Sequence, residues 1–229
     1  SDCDNFCTIG EYNGYLYNEK GIDIALLLKH FDKTKNFKNF KGAKFIEKPA
    51  DVLTIACDIL IPAAMESVIN RANVNEIKTK LIVEAANGPV TYNADEILHK
   101  KGIDVLPDIY VNSGGVVVSY FEWVKNITHV RFGRLQRRYE ENKMNELIQV
   151  IEDATGRSIP EKYKNNVIHG AQEIDLVNSG LEDVMRETFK EILKNMKNLK
   201  KVSLRTAAYA IALNKLKQYH KDMGVSNAH

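Results

Sequence analysis

Two asparagines, Asn87 and Asn112, stand in small-residue turns that directly follow apolar runs. KLIVEAA leads into Asn87-Gly88-Pro89, and IDVLPDIYV leads into Asn112-Ser113-Gly114-Gly115. An Asn side chain both donates and accepts hydrogen bonds, which suits a carboxamide or a ribose. Neighbouring glycines let backbone approach a ligand closely. Ligands of open α/β sheets bind at the carboxyl ends of the strands, so the two turns outline one cofactor crevice on which both amides are expected to converge.

Further residues fit that outline, each beside a plainer reading. Glu11 follows the first apolar stretch, where an acidic side chain can hold both hydroxyls of an adenosine ribose. Its like charge would oppose a 2′-phosphate and favour NAD over NADP. The plain reading is a surface Glu in the hairpin tip Glu-Tyr-Asn-Gly. Ala63 and Ala64 close the run DILIP and leave room for adenine or pyrophosphate, or they simply pack at a helix start. Val116 and Ser119 lie on the first turns of the helix entered through Gly114-Gly115. A helix N-terminus favours a carboxylate, and positions i and i+3 share a face. Ser119 could equally bond back to its own preceding turn.

The elements that must carry these residues follow from the apolar pattern. To about residue 128, strands and helices alternate: strands at 5–10, 58–62, 79–86 and 103–111, helices at 21–30, 64–73 and 93–101, and a lysine- and asparagine-rich loop at 35–44. Continuous apolar strands with helical crossovers predict a parallel sheet covered on both faces. A helix is expected over 113–126. Beyond 130 the strand signal is gone, and helices are expected at 134–153, 176–200 and 202–219. Leu181, Met185, Phe189 and Leu193 form one stripe of the second, and AAYAIAL of the last is expected to pack on the sheet domain. No internal repeat is present.

Composition narrows the classes of partner. The 229 residues suffice for one large or two modest domains with a real core. A formal net charge of +2, with 44% apolar and 27% charged residues, recommends neither nucleic acid nor an anionic membrane. Arg131, Arg134, Arg137 and Arg138 cluster, but Glu140 and Glu141 follow and no stacking aromatics interleave, as on a solvated helix face. No apolar run approaches the roughly 18 residues of a transmembrane helix. Three cysteines and six histidines show no metal-ligand spacing, so reduced thiols and no metal are expected.

The blocks CTIGEYNGYLYNEKGID, ACDILIPAA, EAANGPVT, PDIYVNSGGVVVSYFEWVKN, NSGL after residue 177 and LRTAAYAIALNK together resemble the glutamate dehydrogenase family. The resemblance runs essentially the length of the chain. It implies an α/β fold, an incomplete doubly wound, Rossmann-like sheet domain over 1–130 that lacks its first βα unit. A helical antenna insertion over 131–175 follows, then a pivot helix and a C-terminal helix over 176–229. It implies NAD or NADP at Glu11, Ala63, Ala64, Asn87 and Asn112, with Asn112 by the nicotinamide carboxamide, and the dicarboxylate substrate at Val116 and Ser119. The partners implied are L-glutamate and 2-oxoglutarate, a homohexamer and the mitochondrial matrix. Lys125 and Arg186 match positions that bind an allosteric nucleotide in animal enzymes. Ala25, Leu28, Asn178 and Glu187 depart from the charged residues and the histidine expected there, so weak GTP inhibition is expected.

No G-x-G-x-x-G occurs in the sequence, although the family carries one about 20 residues before the ribose acid. The lysine and aspartate that carry the family's chemistry are also not in this sequence, so no catalytic residue is assigned. Without a central strand the chain alone is expected to be poorly soluble or inactive. Two rival readings stand: a leucine, phenylalanine or valine dehydrogenase, which lacks the helical arm, and a non-catalytic assembly or regulatory module.

Overall fold

The computed structural model describes residues 5–128, 134–161, 163–164, 173–199 and 202–224. Cys3, Arg131 and most of 162–172 lie outside the described residues, as do the side chains of Arg134, Arg137 and Arg138. Contacts divide the chain into two compact units, Ser1–Val105 and Leu106–His229.

The first unit holds two small sheets, not one continuous parallel sheet. In the first, β1 (Thr8–Glu11), β2 (Gly14–Tyr17) and β3 (Lys44–Ile46) run antiparallel in that order. Tyr12 and Asn13 form the turn between β1 and β2, and the register Glu11↔Gly14 closes the hairpin. Such a short loop permits only antiparallel pairing. Leu16, Phe45 and Ile9 share a face and meet Ile22, Leu27, Phe37 and Phe40 in a core of their own.

Helix α1 (Ile24–Thr34) starts at Asp23, whose carboxylate accepts from the Leu26 N–H at 2.9 Å. That cap starts the helix at Ile24, three positions inside the expected start at Gly21. The helix runs four residues past its expected end at His30 and stops where the expected loop begins, at Lys35 in the left-handed conformation, φ 52°.

The second sheet is ordered β4 (Ile59–Leu60), β5 (Leu81–Val83), β6 (Asp104–Leu106), and β4 and β5 are parallel. Ile69, Val74, Ile82, Val90, Ala94, Leu98, Ile103 and Val105 form its core. The expected helix at 64–73 is a series of turns instead. Asn70 and Asn73 capture backbone there: the Asn70 N–H donates to Asn73 Oδ1 at 2.9 Å, the Ala72 N–H to Asn70 Oδ1 at 2.9 Å, and Asn73 Nδ2 to the Val68 carbonyl at 2.7 Å. Side chains that bond backbone locally compete with helix formation. Helix α2 (Tyr92–Lys100) matches its expected span within a residue.

In the second unit the expected strand 103–111 ends at Leu106, and Asp108–Val111 is a helical turn, α3. Pro107 in extended conformation opens that turn, and Asp108 Oδ1 accepts from the Ile109 N–H at 2.7 Å. The proline and acid start a helix despite the apolar run. Helices α4 (Ser113–Thr128), α5 (Arg134–Thr155), α6 (Glu173–Asn198) and α7 (Leu204–Asp222) follow. α3 and α4 pack on α6, which is why the contact boundary falls before α3 and not near residue 130. Ala207, Ala208 and Ile211 of α7 are buried with Ile192 of α6 and with Ile109 and Tyr110, so AAYAIAL packs on helices of this unit.

Two glycines let α4 and α6 meet. A Cβ on Gly114 would touch Leu181 Cδ1 at 3.4 Å, and one on Gly180 would touch Phe121 Cζ at 3.2 Å. Gly180→Val is expected to cost about 1–2 kcal/mol through overpacking. Gly180→Ala should be near neutral, because about 1 kcal/mol of helix propensity offsets the squeeze. Thermal unfolding of the two variants checks this; an equal midpoint for Val and Ala would contradict the close approach.

Candidate coenzyme and substrate residues

In the first unit, the carboxyl ends of the parallel strands β4 and β5 carry three of the expected residues. The Pro62 carbonyl, just past β4, accepts from the N–H groups of both Ala85 and Ala86 at 3.1 Å. Further on, the Ser67 N–H donates to the Gly88 carbonyl at 2.8 Å. These ties hold residues 63–66 against residues 85–88. Ala63, Ala64 and Asn87 are exposed within that arrangement. Gly88 has φ 55°, and a Cβ there would meet no atom within 4 Å. Small side chains, an amide and open backbone at strand ends can accept a planar ring or a phosphate.

Glu11 stands elsewhere in the same unit, at the end of β1 on the hairpin tip. It is exposed, and its Oε2 accepts from the Tyr12 N–H at 3.4 Å. The hairpin foreseen as the plain reading is the actual setting, and it leaves the carboxylate open to a ligand.

In the second unit, Asn112 is half-buried at the junction of α3 and α4, a helix end and not a strand tip. Its N–H donates to the Asp108 carbonyl at 3.1 Å, and its carbonyl accepts from the Gly115 N–H at 3.2 Å. Ser113, which sequence reasoning left without a role, binds the junction: its Oγ donates to the Tyr110 carbonyl at 2.5 Å. Val116 (71% exposed) and Ser119 follow on α4, both open to solvent. Ser119 Oγ donates to the Gly115 carbonyl at 3.0 Å, the plain local bond. Its lone pairs are open, and its proton can be redirected by a stronger acceptor such as a carboxylate. Gly115 is exposed, with no atom within 4 Å of a notional Cβ.

The residues expected to meet an allosteric nucleotide are in ordinary surroundings. Lys125 is half-buried on α4. Arg186 is exposed on α6 and pairs with Glu182 at 2.6 Å, while Glu187 pairs with Lys190 at 2.7 Å. Burial pushes the Cys57 thiol up, which disfavours the thiolate.

Two features escaped the sequence reading. Glu84 is fully buried one residue past β5, on the face of Ile82, where alternation along the strand puts it. Its signal was present as a lone acid closing an apolar run. Asp108 and Arg205 form a pair with Nη1 to Oδ1 at 3.6 Å and side chains only 16% and 15% exposed. Nothing local in the sequence links them.

A family model for glutamate/leucine/phenylalanine/valine dehydrogenases matches residues 3–178. The chain belongs to that family. It is 44% identical over 216 residues to a mitochondrial glutamate dehydrogenase of Dictyostelium discoideum, covering 94% of this chain and 43% of the relative. A probable glutamate dehydrogenase of the bacterium Sinorhizobium fredii is also 44% identical over 209 residues, covering 91% and 47%. Identity therefore does not single out the eukaryotic group. Among solved structures, glutamate dehydrogenase of Peptoniphilus asaccharolyticus superposes with a TM-score of 0.62 at 28% identity, over 97% of this chain and 42% of that one. The chain spans less than half the length of each of these relatives.

Proposed function

We propose that this chain supplies the coenzyme half of an NAD(P)-dependent glutamate dehydrogenase. The complete protein would oxidise L-glutamate to 2-oxoglutarate and ammonium. The observation that carries the reading is the pair of tied loops at the ends of β4 and β5, with Ala63, Ala64 and Asn87 exposed, inside the segment matched by the family. A bound nicotinamide coenzyme would accept the hydride from the glutamate Cα. Ala63 and Ala64 leave space for its adenosine half, and Glu11 would accept hydrogen bonds from the ribose hydroxyls. Asn87 and Asn112 would hold its polar groups, Asn112 the carboxamide. Val116 and Ser119 would meet the substrate, the hydroxyl turning from Gly115 to a carboxylate.

The finer architecture belongs to the same reading. Residues 1–130 would be part of a doubly wound coenzyme domain, 131–175 an antenna, and 176–229 the pivot and closing helices. That functional division differs from the packing division before α3. One of the similar structures is described as a hetero-hexameric glutamate dehydrogenase of Thermus thermophilus, and a homohexamer is proposed here. A mitochondrial location rests on the Dictyostelium discoideum relative. The departures at Ala25, Leu28, Asn178 and Glu187 support weak GTP control, with Lys125 and Arg186 the remaining cations for a nucleotide.

The test is a substrate and coenzyme matrix with the complete protein. Glutamate with NAD is expected to be the best pair, and oxidation of leucine or phenylalanine without glutamate would overturn the assignment. Glu11→Gln is expected to shift the NADP-to-NAD ratio of kcat/KM upward about tenfold, since the like charge facing a 2′-phosphate is gone. An unchanged ratio would remove Glu11 from the ribose site.

A further inference from the structure

Ser67 has φ 55°, in the left-handed region. Among the described residues two other non-glycine residues share that sign, and both have ordinary reasons for it. Lys35 ends helix α1, where this conformation is routine, and Asn39 is of the type that tolerates it. Ser67 has neither reason: it is the second residue of the turn Glu66-Ser67, where this angle suits glycine or asparagine and costs a serine, and its hydroxyl makes no hydrogen bond among the described residues. A serine held this way is strained, and such strain persists only where the surroundings over-determine it.

The surroundings do so from both sides. The Ser67 N–H donates to the Gly88 carbonyl at 2.8 Å, and its carbonyl accepts from Asn70 Nδ2 at 3.1 Å. Two residues on, the Ile69 N–H donates to the Pro89 carbonyl at 2.9 Å and the Thr91 N–H to the Ile69 carbonyl at 3.0 Å, a parallel bridge. Ile69 is fully buried, so that bridge is anchored in the core. Ser67 is thus where the exposed loop 63–66 turns into a segment zipped to residues 88–91. Its backbone angle sets the direction in which the loop leaves that segment, while the Pro62 carbonyl ties the loop's other end.

We infer that Ser67 is a positioning residue for coenzyme binding, a strained latch that sets loop 63–66 against loop 85–88. The inference rests on the proposed coenzyme role of Ala63, Ala64 and Asn87. A latch held by backbone conformation responds to substitution with a sign. Glycine adopts the left-handed angle freely and closes the latch. A β-branched residue resists it and opens the latch. Alanine removes the hydroxyl while leaving the backbone cost, so it should behave like serine.

The experiment measures NADH Kd by fluorescence at one temperature, well below unfolding, for the complete protein and its variants. Ser67→Gly is expected to bind about threefold tighter, Ser67→Val about fivefold weaker, about 1 kcal/mol, and Ser67→Ala within about twofold of the parent. Asn70→Ala, which frees the Ser67 carbonyl, should weaken binding in the direction of valine and serves if Ser67→Val fails to fold. A purely structural role would move melting temperatures in the same order and leave Kd alone. Equal Kd for glycine and valine, or for glycine and Asn70→Ala, overturns the latch. If Asn87→Ala still weakens binding in that case, the coenzyme reading survives without it; if the parent binds no NADH, the reading itself fails.

Discussion

Ser119→Ala in the complete protein is expected to raise KM for L-glutamate about tenfold to a hundredfold, with little change in kcat and in coenzyme KM. A hydrogen bond to a charged group contributes about 1.5–3 kcal/mol, which converts to that range. The hydroxyl now bonds the Gly115 carbonyl at 3.0 Å on an exposed helix face, so its loss costs the fold little. The effect should therefore appear in substrate binding and not in stability. Steady-state kinetics on glutamate and on a monocarboxylate such as norvaline separate the roles, because only contact with the side-chain carboxylate makes the dicarboxylate lose more, whereas contact with the α-carboxylate weakens both alike. No loss on either substrate would leave the hydroxyl as a local helix bond.

Arg205→Met is expected to destabilise the second unit by about 3 kcal/mol, the usual cost of removing one member of a desolvated pair. Arg205 lies near the start of α7 and Asp108 opens α3, each side chain about one-sixth exposed. Methionine keeps much of the stem's packing and removes the charge, so Asp108 keeps its bond from the Ile109 N–H but loses its cation. Because α3 leads straight into Asn112 and α4, the loosening should reach the proposed substrate residues. Hydrogen exchange at the amides of Ala207, Ala208 and Ile211 reads the change directly. Asp108→Asn should couple to it in a double-mutant cycle. Independent effects would mean that the pair contributes nothing as a pair.

Much of this was legible in the sequence where local chemistry decides. α2, α5, α6 and α7 lie close to the spans that periodicity marks, while the caps Asp23 and Ser203, which set where α1 and α7 begin, went unread. Strand ends were overestimated because apolar continuity does not stop at Pro107, whereas the backbone does. The strand Gly14–Tyr17 was not marked as a strand although its turn was foreseen as a hairpin tip; its second pairing, with β3, comes from residues well downstream. Side chains that replace helix bonds, as Asn70 and Asn73 do, defeat a reading based on apolar spacing. The strand-end rule put Ala63, Ala64 and Asn87 just past β4 and β5, where they stand, because a strand tip is a local feature. It put Asn112 at a strand tip, whereas Asn112 ends the helical turn α3. Ser67 was invisible because a serine carries no mark of a left-handed backbone.

The central proposal is that Asn87 and Asn112 both hold one kind of ligand, a nicotinamide coenzyme. The most direct measurement is NADH titration of the complete protein, followed by the same titration of Asn87→Ala and Asn112→Ala. Each variant is expected to raise Kd about tenfold while keeping its fold, the cost of one lost polar contact in a partly desolvated site. A parent protein that binds no NADH, or variants that bind it as the parent does, would contradict the proposal.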